Sequence, residues 1–125
     1  MQKKIKIITK KQEMIAELTE KNPRTAEAIY NSLPIEGNLK KWGEEVFFDC
    51  GINLEEENSQ KIVSVGDVAY WPPGRAICIF FGKTPFSRDE KPIAFSPVNV
   101  FGKIKSNFRF LKNIKDGEKI RIEKH

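Results

Sequence analysis

The chain has 125 residues, 39% hydrophobic and 31% charged, which suits one domain with a core of its own and is too apolar for a disordered segment. No apolar run approaches the ~20 residues of a membrane span, and the basic start Met1-Gln2-Lys3-Lys4-Ile5-Lys6 leads into alternation, so no signal peptide is expected. The formal charge of +5 is uneven: residues 1–60 hold 9 Lys+Arg against 11 Asp+Glu, and residues 61–125 hold 13 against 6.

Lys4-Ile5-Lys6-Ile7 alternates polar and apolar, the pattern of a half-buried strand. Lys10-Lys11 marks a turn, and Met14, Ala16 and Leu18 then share one face of a second strand. Asn22-Pro23 reads as a helix start, Asn giving the cap oxygen and Pro losing no needed donor. Ala26, Ile29, Tyr30 and Leu33 recur at helical spacing, and Pro34 ends the pattern, so a helix over about 23–33 is expected. Strand patterning returns from Ile35 to Asp49, with Glu45, Phe47 and Asp49 on one face and Val46 and Phe48 on the other. Residues 51–61, with Glu55-Glu56-Glu57, read as a solvated acidic loop lacking the ligand spacing of a calcium loop.

Gly66-Asp67 opens the strand Val68-Ala69-Tyr70-Trp71. Pro72-Pro73-Gly74-Arg75 suits a type II turn with Gly74 at positive φ. Ala76 to Phe81 is apolar on both faces and calls for cover on both. Ile93-Ala94-Phe95 and Val98 to Ile104 read as further strands, with Gly102 marking a bulge or a close approach. A second short helix is drawn over about 107–113, and Asp116-Gly117 turns into a final strand, Lys119-Ile120-Arg121-Ile122. These elements, about eight strands and one clear helix, suit a mainly β, closed, eight-stranded antiparallel barrel, a single domain over residues 1–125.

Three segments resemble the cyclophilin family in order along the chain. Pro23-Arg24-Thr25-Ala26-Glu27 is similar to the start of that family's first helix, and Ile79-Phe80-Phe81 resembles its Phe-Phe-Ile strand. Val100-Phe101-Gly102-Lys103-Ile104 resembles its Val-Phe-Gly-Lys-Val strand. Gly66 to Gly74 looks more like small prokaryotic cyclophilin-like proteins of unassigned function. The resemblance implies the fold. It implies activity only where the functional residues match, and they do not. Cyclophilins place an arginine on the third strand to hydrogen-bond the prolyl nitrogen while the amide twists over a barrier of roughly 20 kcal/mol. That place falls near Glu45 or Val46 here, within Trp42-Gly43-Glu44-Glu45-Val46-Phe47-Phe48-Asp49. The family's pocket histidine is replaced by Val98.

The one histidine is His125, which removes histidine-based triads and metal clusters. No phosphate-binding glycine motif occurs, so no cofactor and no metal is expected. Cys50 and Cys78 are expected to be buried free thiols in a reducing cytoplasm. The basic second half suits nucleic acid in principle. Yet the lysines fall on alternate strand positions and in turns, where they guard edges, so nucleic acid is not the expected partner. Glu45 and Asp49 form a carboxylate pair capable of acid–base work, set against the plainer reading of an outward polar face. Aromatic residues at strand ends and beside proline turns read first as core, yet Tyr70 and Trp71 beside the Pro-Pro-Gly turn sit where a barrel mouth and a binding face would be. The candidate ligand residues are Trp42, Glu45, Phe47, Tyr70, Trp71, Arg75, Phe80, Phe86, Phe95 and Asn99. The expected function is non-catalytic binding of a peptide or small ligand. The alternative is a prolyl isomerase using Arg75 or Arg109, and a weaker one is a nucleic-acid-binding barrel.

Overall fold

The alternating N-terminal segment folds as its pattern demands. In the computed structural model, which describes residues 3–125, strands β1 (Lys4–Thr9) and β2 (Glu13–Leu18) form a hairpin whose odd and even residues, respectively, turn inward. Helix α1 (Pro23–Asn31) follows. Then come β3 (Ile35–Asn38), β4 (Lys40–Lys41), β5 (Glu45–Asp49), β6 (Gln60–Ile62), β7 (Asp67–Trp71), β8 (Ala76–Phe80), β9 (Ile93–Ile104) and β10 (Lys119–Lys124). Every pairing is antiparallel, and the order is β3-β10-β1-β2-β9-β7-β8-β5-β4, with β6 beside β9. Among the described residues, no helix is long and apolar enough to cross a membrane.

The expected mainly β, antiparallel architecture with one α-helix is present, but the closed eight-stranded barrel needs correction. The sheet has ten strands, and its hydrogen-bonded ladder is an open path, not a ring. Two of the extra strands come from short segments. Leu39 separates β3 from β4, its N–H donating to Glu118 O at 2.8 Å instead of joining a ladder. Residues 60–62 of the expected acidic loop pair with β9 as β6. In the other direction, Ile93–Ile104 is one strand of 12 residues. Pro97 is tolerated within it because the missing donor falls where the ladder is irregular. Gly102 meets the expectation of a close approach. The β7–β9 register shifts between Val68 and Ala69, and a Cβ on Gly102 would stand 3.3 Å from Glu17 O.

The inner face of the sheet buries Ile5, Ile7, Met14, Phe48, Ile77 and Phe101 against Ile29 of α1. A second apolar cluster lies on the outer face of β7 and β8, where Ala69, Cys78 and Phe80 are covered by Val63, Ala94 and Val98. β8 is therefore buried along its whole length, as its two-sided apolar sequence requires.

The helix is capped differently from the sequence reading. It ends at Asn31, not 33, where the Ser32 and Leu33 N–H groups close a tight last turn on Ile29 O and Tyr30 O. Asn22 does not cap it: its side chain is fully buried and donates to Val100 O at 2.6 Å. The orphan N–H groups of Arg24 and Thr25 are instead taken by the Glu57 carboxylate, at 3.1 and 2.9 Å. Burial of that carboxylate acts to raise its pKa, but the bonds from Thr25 and Arg24 outweigh it and leave the group below its ordinary value. Glu55 and Glu56 are exposed, as expected of a solvated acidic loop, but the segment is also anchored as a strap. Ile52 and Leu54 pack on the inner core. The Tyr70 hydroxyl donates to Ile52 O and accepts from Leu54 N–H. Asn99, opposite Tyr70 in the ladder, accepts from Glu57 N–H and donates to Glu55 O and Thr25 Oγ1. The segment expected as a helix over 107–113 is a 3-10 turn, Arg109–Asn113, with Leu111 buried.

Asn99→Ala removes three of these hydrogen bonds at once. It is expected to cost about 3 kcal/mol of stability and to speed amide exchange across residues 52–57. Urea unfolding and hydrogen exchange measure both, and unchanged exchange in the strap would disprove its anchoring by Asn99.

Candidate functional site

Strand parity decides which candidate residues meet. Glu45, Phe47, Cys78, Ala69 and Trp71 all project from the outer face, because the registers Phe47↔Cys78 and Ala69↔Cys78 bring alternate positions together. On this face a cavity of about 200 Å³ is lined by Trp42, Glu45, Phe47, Trp71, Ala94, Phe95 and Val98.

The walls are set by turns. Trp42 and Glu45 exchange backbone hydrogen bonds at 2.9 and 3.2 Å, forming a two-residue hairpin with Gly43 at φ 61, as a glycine-first hairpin turn requires. This turn holds Trp42 over the end of β5. Trp71 lies across Gly74, where any Cβ would overlap the indole, and its Nε1–H donates to Ser96 Oγ at 2.6 Å. That close approach, not a positive φ, is what Gly74 supplies. The expected type II turn is a 3-10 turn, and Arg75 takes the left-handed conformation at φ 48. Phe95 meets both indoles edge to face, with centroids 5.8 Å from Trp42 and 6.0 Å from Trp71. Phe86 stacks on Phe95 at 5.6 Å and meets Trp42 at 5.0 Å, flanking the cavity. Phe86 and Phe95 are exposed.

One polar side chain faces this apolar space. Glu45 is only 6% exposed, and among the described residues no lysine or arginine forms an ion pair with it. Burial raises its pKa from 4.5 to about 7, against a smaller opposing effect of a hydrogen bond from the Cys78 thiol. Burial first, and then the neighbouring Glu45 charge, push Cys78 itself well above its ordinary value. Cys78 is therefore an inert neutral thiol buried beside Glu45. Both cysteines are free. Cys78 is buried as expected, whereas Cys50 is half-buried.

Of the ten sequence candidates, Trp42, Glu45, Phe47, Trp71 and Phe95 line the cavity and Phe86 flanks it. Phe80 lies in the outer cluster, fully buried opposite Glu45 in the ladder. Tyr70 and Asn99 project from the inner face, where they hold the strap. Arg75 is exposed and stands 3.5 Å from Asp49. Asp49 is also engaged by Gly51 N–H at 2.8 Å, so it does not join Glu45 in a carboxylate pair. Val98, Ala94 and the underlying Cys78 are contributions that no local pattern signals, since they depend on which strands pair. Among the described residues, no group of three His, Cys, Asp or Glu is arranged to hold a metal ion.

The buried acid has a consequence for stability. Below pH 4.5 the folded and unfolded chains both hold the Glu45 proton. Between pH 4.5 and about 7 the unfolded chain releases it first, and stability falls. Above about 7 the loss is complete and amounts to about 3 kcal/mol. Glu45→Gln is expected to be free of this loss, so its stability advantage over the unmodified chain grows across that window by about 3 kcal/mol. Urea denaturation at pH 4.5 and pH 8 measures it, and a pH-independent difference would refute the burial of the acid.

The family model described as cyclophilin-like matches residues 3–123. A hypothetical protein of Archaeoglobus fulgidus, solved in solution, is 41% identical, with a TM-score of 0.85 over 99% of this chain and 95% of that one. The structure of McbB in complex with tryptophan shares the fold at a TM-score of 0.68 and 14% identity. That likeness covers 95% of this chain and 44% of McbB. No curated protein matches the chain. Together, the matched length and the archaeal relative show that the chain belongs to the cyclophilin-like family.

Proposed function

We propose that this protein binds a small, largely apolar ligand in the outer-face cavity and does not isomerise prolyl bonds. The observation that carries the reading is the cavity itself: an apolar space of about 200 Å³ walled by aromatic rings, with a single carboxyl group directed at it. Convergence of an apolar pocket with one or a few polar groups is the usual form of a small-molecule site. An apolar cavity of about 150 Å³ holds one benzene ring, so the volume suits one or two rings, or one peptide side chain, and not an extended peptide. McbB, which has the same fold, was solved with tryptophan, a molecule in that size range.

The isomerase alternative loses support at the level of charge. Of the two positions matched to the cyclophilin arginine, Val46 is buried in the inner core and Glu45 faces the cavity. Where a cation would donate to the prolyl nitrogen, there is an acid. The position of the family's pocket histidine is Val98, which also lines the cavity. Neither Arg75, beside Asp49, nor Arg109, in the 3-10 turn, lines it. Two unpaired thiols support a reducing compartment.

Both tryptophans of the chain border the cavity, so intrinsic indole emission reports on it alone. A screen of single-ring compounds is expected to yield ligands that shift this emission and both indole N–H signals in NMR. Ligands that move neither indole, or a screen without ligands, would overturn the reading. In a protease-coupled assay on X-Pro peptides, the rate is expected to equal the uncatalysed one. An acceleration abolished by Arg75→Ala or Arg109→Ala would restore the isomerase.

A further inference from the structure

We infer that the ligand is an organic cation, an ammonium or comparable N–H cation carried on a single ring or a similarly small apolar body, with the Glu45 carboxylate as its counter-charge. The inference deepens the binding reading above and rests on it.

The argument begins with what an occupant would meet. Apart from Glu45, every side chain lining the cavity is aromatic or aliphatic; the Trp71 N–H is already committed to Ser96, which leaves the Trp42 N–H as the one other polar side-chain group in the lining. A purely apolar occupant would seal Glu45 from water and leave its carboxyl with the weak Cys78 thiol donor alone, at a cost of several kcal/mol if charged. An anion would face the same carboxylate with no basic side chain in the lining to offset it. A cation answers both needs. It neutralises the acid, and its flanks meet the negative faces of Trp42, Trp71, Phe47 and Phe95. The rim already shows this attraction: the exposed Lys61 of β6 sets its ammonium 5.6 Å from the Phe86 ring centroid.

The groups around Glu45 leave it as the site's single responsive charge. From β8 the facing titratable group is Cys78, which stays neutral. β7 contributes Trp71, and β9 contributes Ala94, Phe95 and Val98. Across the hairpin, Glu44 turns away to accept from Lys83 N–H at 3.2 Å. At the far end of β5, Asp49 is held by Gly51 and Arg75. Lys61 stands at the rim over Phe86. Below about pH 7, Glu45 holds its proton. Entry of the cation displaces that proton to solvent, and the carboxylate left behind pairs with the ammonium. Affinity therefore rises as pH rises through 7 and levels off above it, as long as the amine stays charged.

Benzylamine, benzyl alcohol and benzoate share a ring and a similar size and differ in charge. Titrated against indole emission at pH 8, benzylamine is expected to bind at least about tenfold tighter than benzyl alcohol, with benzoate weakest. Benzylamine should bind more weakly at pH 5.5. Glu45→Gln should remove the pH dependence and bring benzylamine down to the level of benzyl alcohol. The retained binding of benzyl alcohol would show that the variant is folded. If benzyl alcohol or benzoate equals benzylamine while the emission still moves, the cation inference falls and the binding reading stands. The inference also falls if Glu45→Gln binds benzylamine unchanged. If none of the three moves the emission at millimolar concentration, the binding reading falls and takes this inference with it.

Discussion

A strand with apolar side chains on both faces cannot be left against water on either. β8 is such a strand, with all five of its residues buried. Its inner side is covered by the inner core, through Ile77 and Ile79. Its outer side must find cover elsewhere, and the chain supplies it by laying residues 60–63 and 93–98 across β7 and β8. That second layer is thin and ends near Glu45, where the cover passes from backbone to the rings of Trp42, Phe86 and Phe95. The cavity is the gap left where two kinds of cover meet.

Placing an acid at that gap costs folding energy, because its surroundings stabilise the neutral form. A valine or leucine at position 45 would extend the outer cluster and avoid the penalty. The chain instead keeps an acid there and leaves it unpaired, while its other buried polar side chains are largely satisfied. Asp67 is matched by Lys103 at 3.3 Å and by Ser64 N–H, and Asn99 by three partners. The contrast with Asp67 leaves Glu45 as a buried acid that no cation offsets. A buried acid facing a cleft without a cation is the kind of group that functional sites collect.

Local patterns in the sequence carry the parts of the fold that depend on local patterns. β1, β2, α1 and β10 follow from alternation, helical spacing and the Asn-Pro start. What escapes is anything decided by a distant partner. Asn22 has the chemistry of a helix cap, but Val100 O claims its amide, and Glu57, more than thirty residues away, does the capping. Residues 55–57 look like solvated charge because nothing local says that Asn99 and Thr25 await them. The ladder's ten strands depend on distant partners as well: Leu39 donates to Glu118 between β3 and β4, and β6 finds β9.

The site divides in the same way. Trp42, Trp71 and Phe95 are legible because large aromatics beside turns have few places to go except a cavity wall. Tyr70 and Asn99 carry the same kind of signal yet face the other side, each one residue out of phase with the cavity residues Trp71 and Val98. A single step along a strand reverses the face, and without the register no reading of composition recovers it. That parity also separates the two tasks of β7 and β9. Their inward residues, Tyr70 and Asn99, anchor the strap over the core, and their outward residues, Trp71 and Val98, line the cavity. The two sets share no hydrogen-bonded partner: Trp71 bonds Ser96, while Tyr70 and Asn99 bond the strap. On a scaffold divided in this way, an acid stands on the outer face at a cost in stability while the hydrogen bonds that hold the strap on the inner face stay in place.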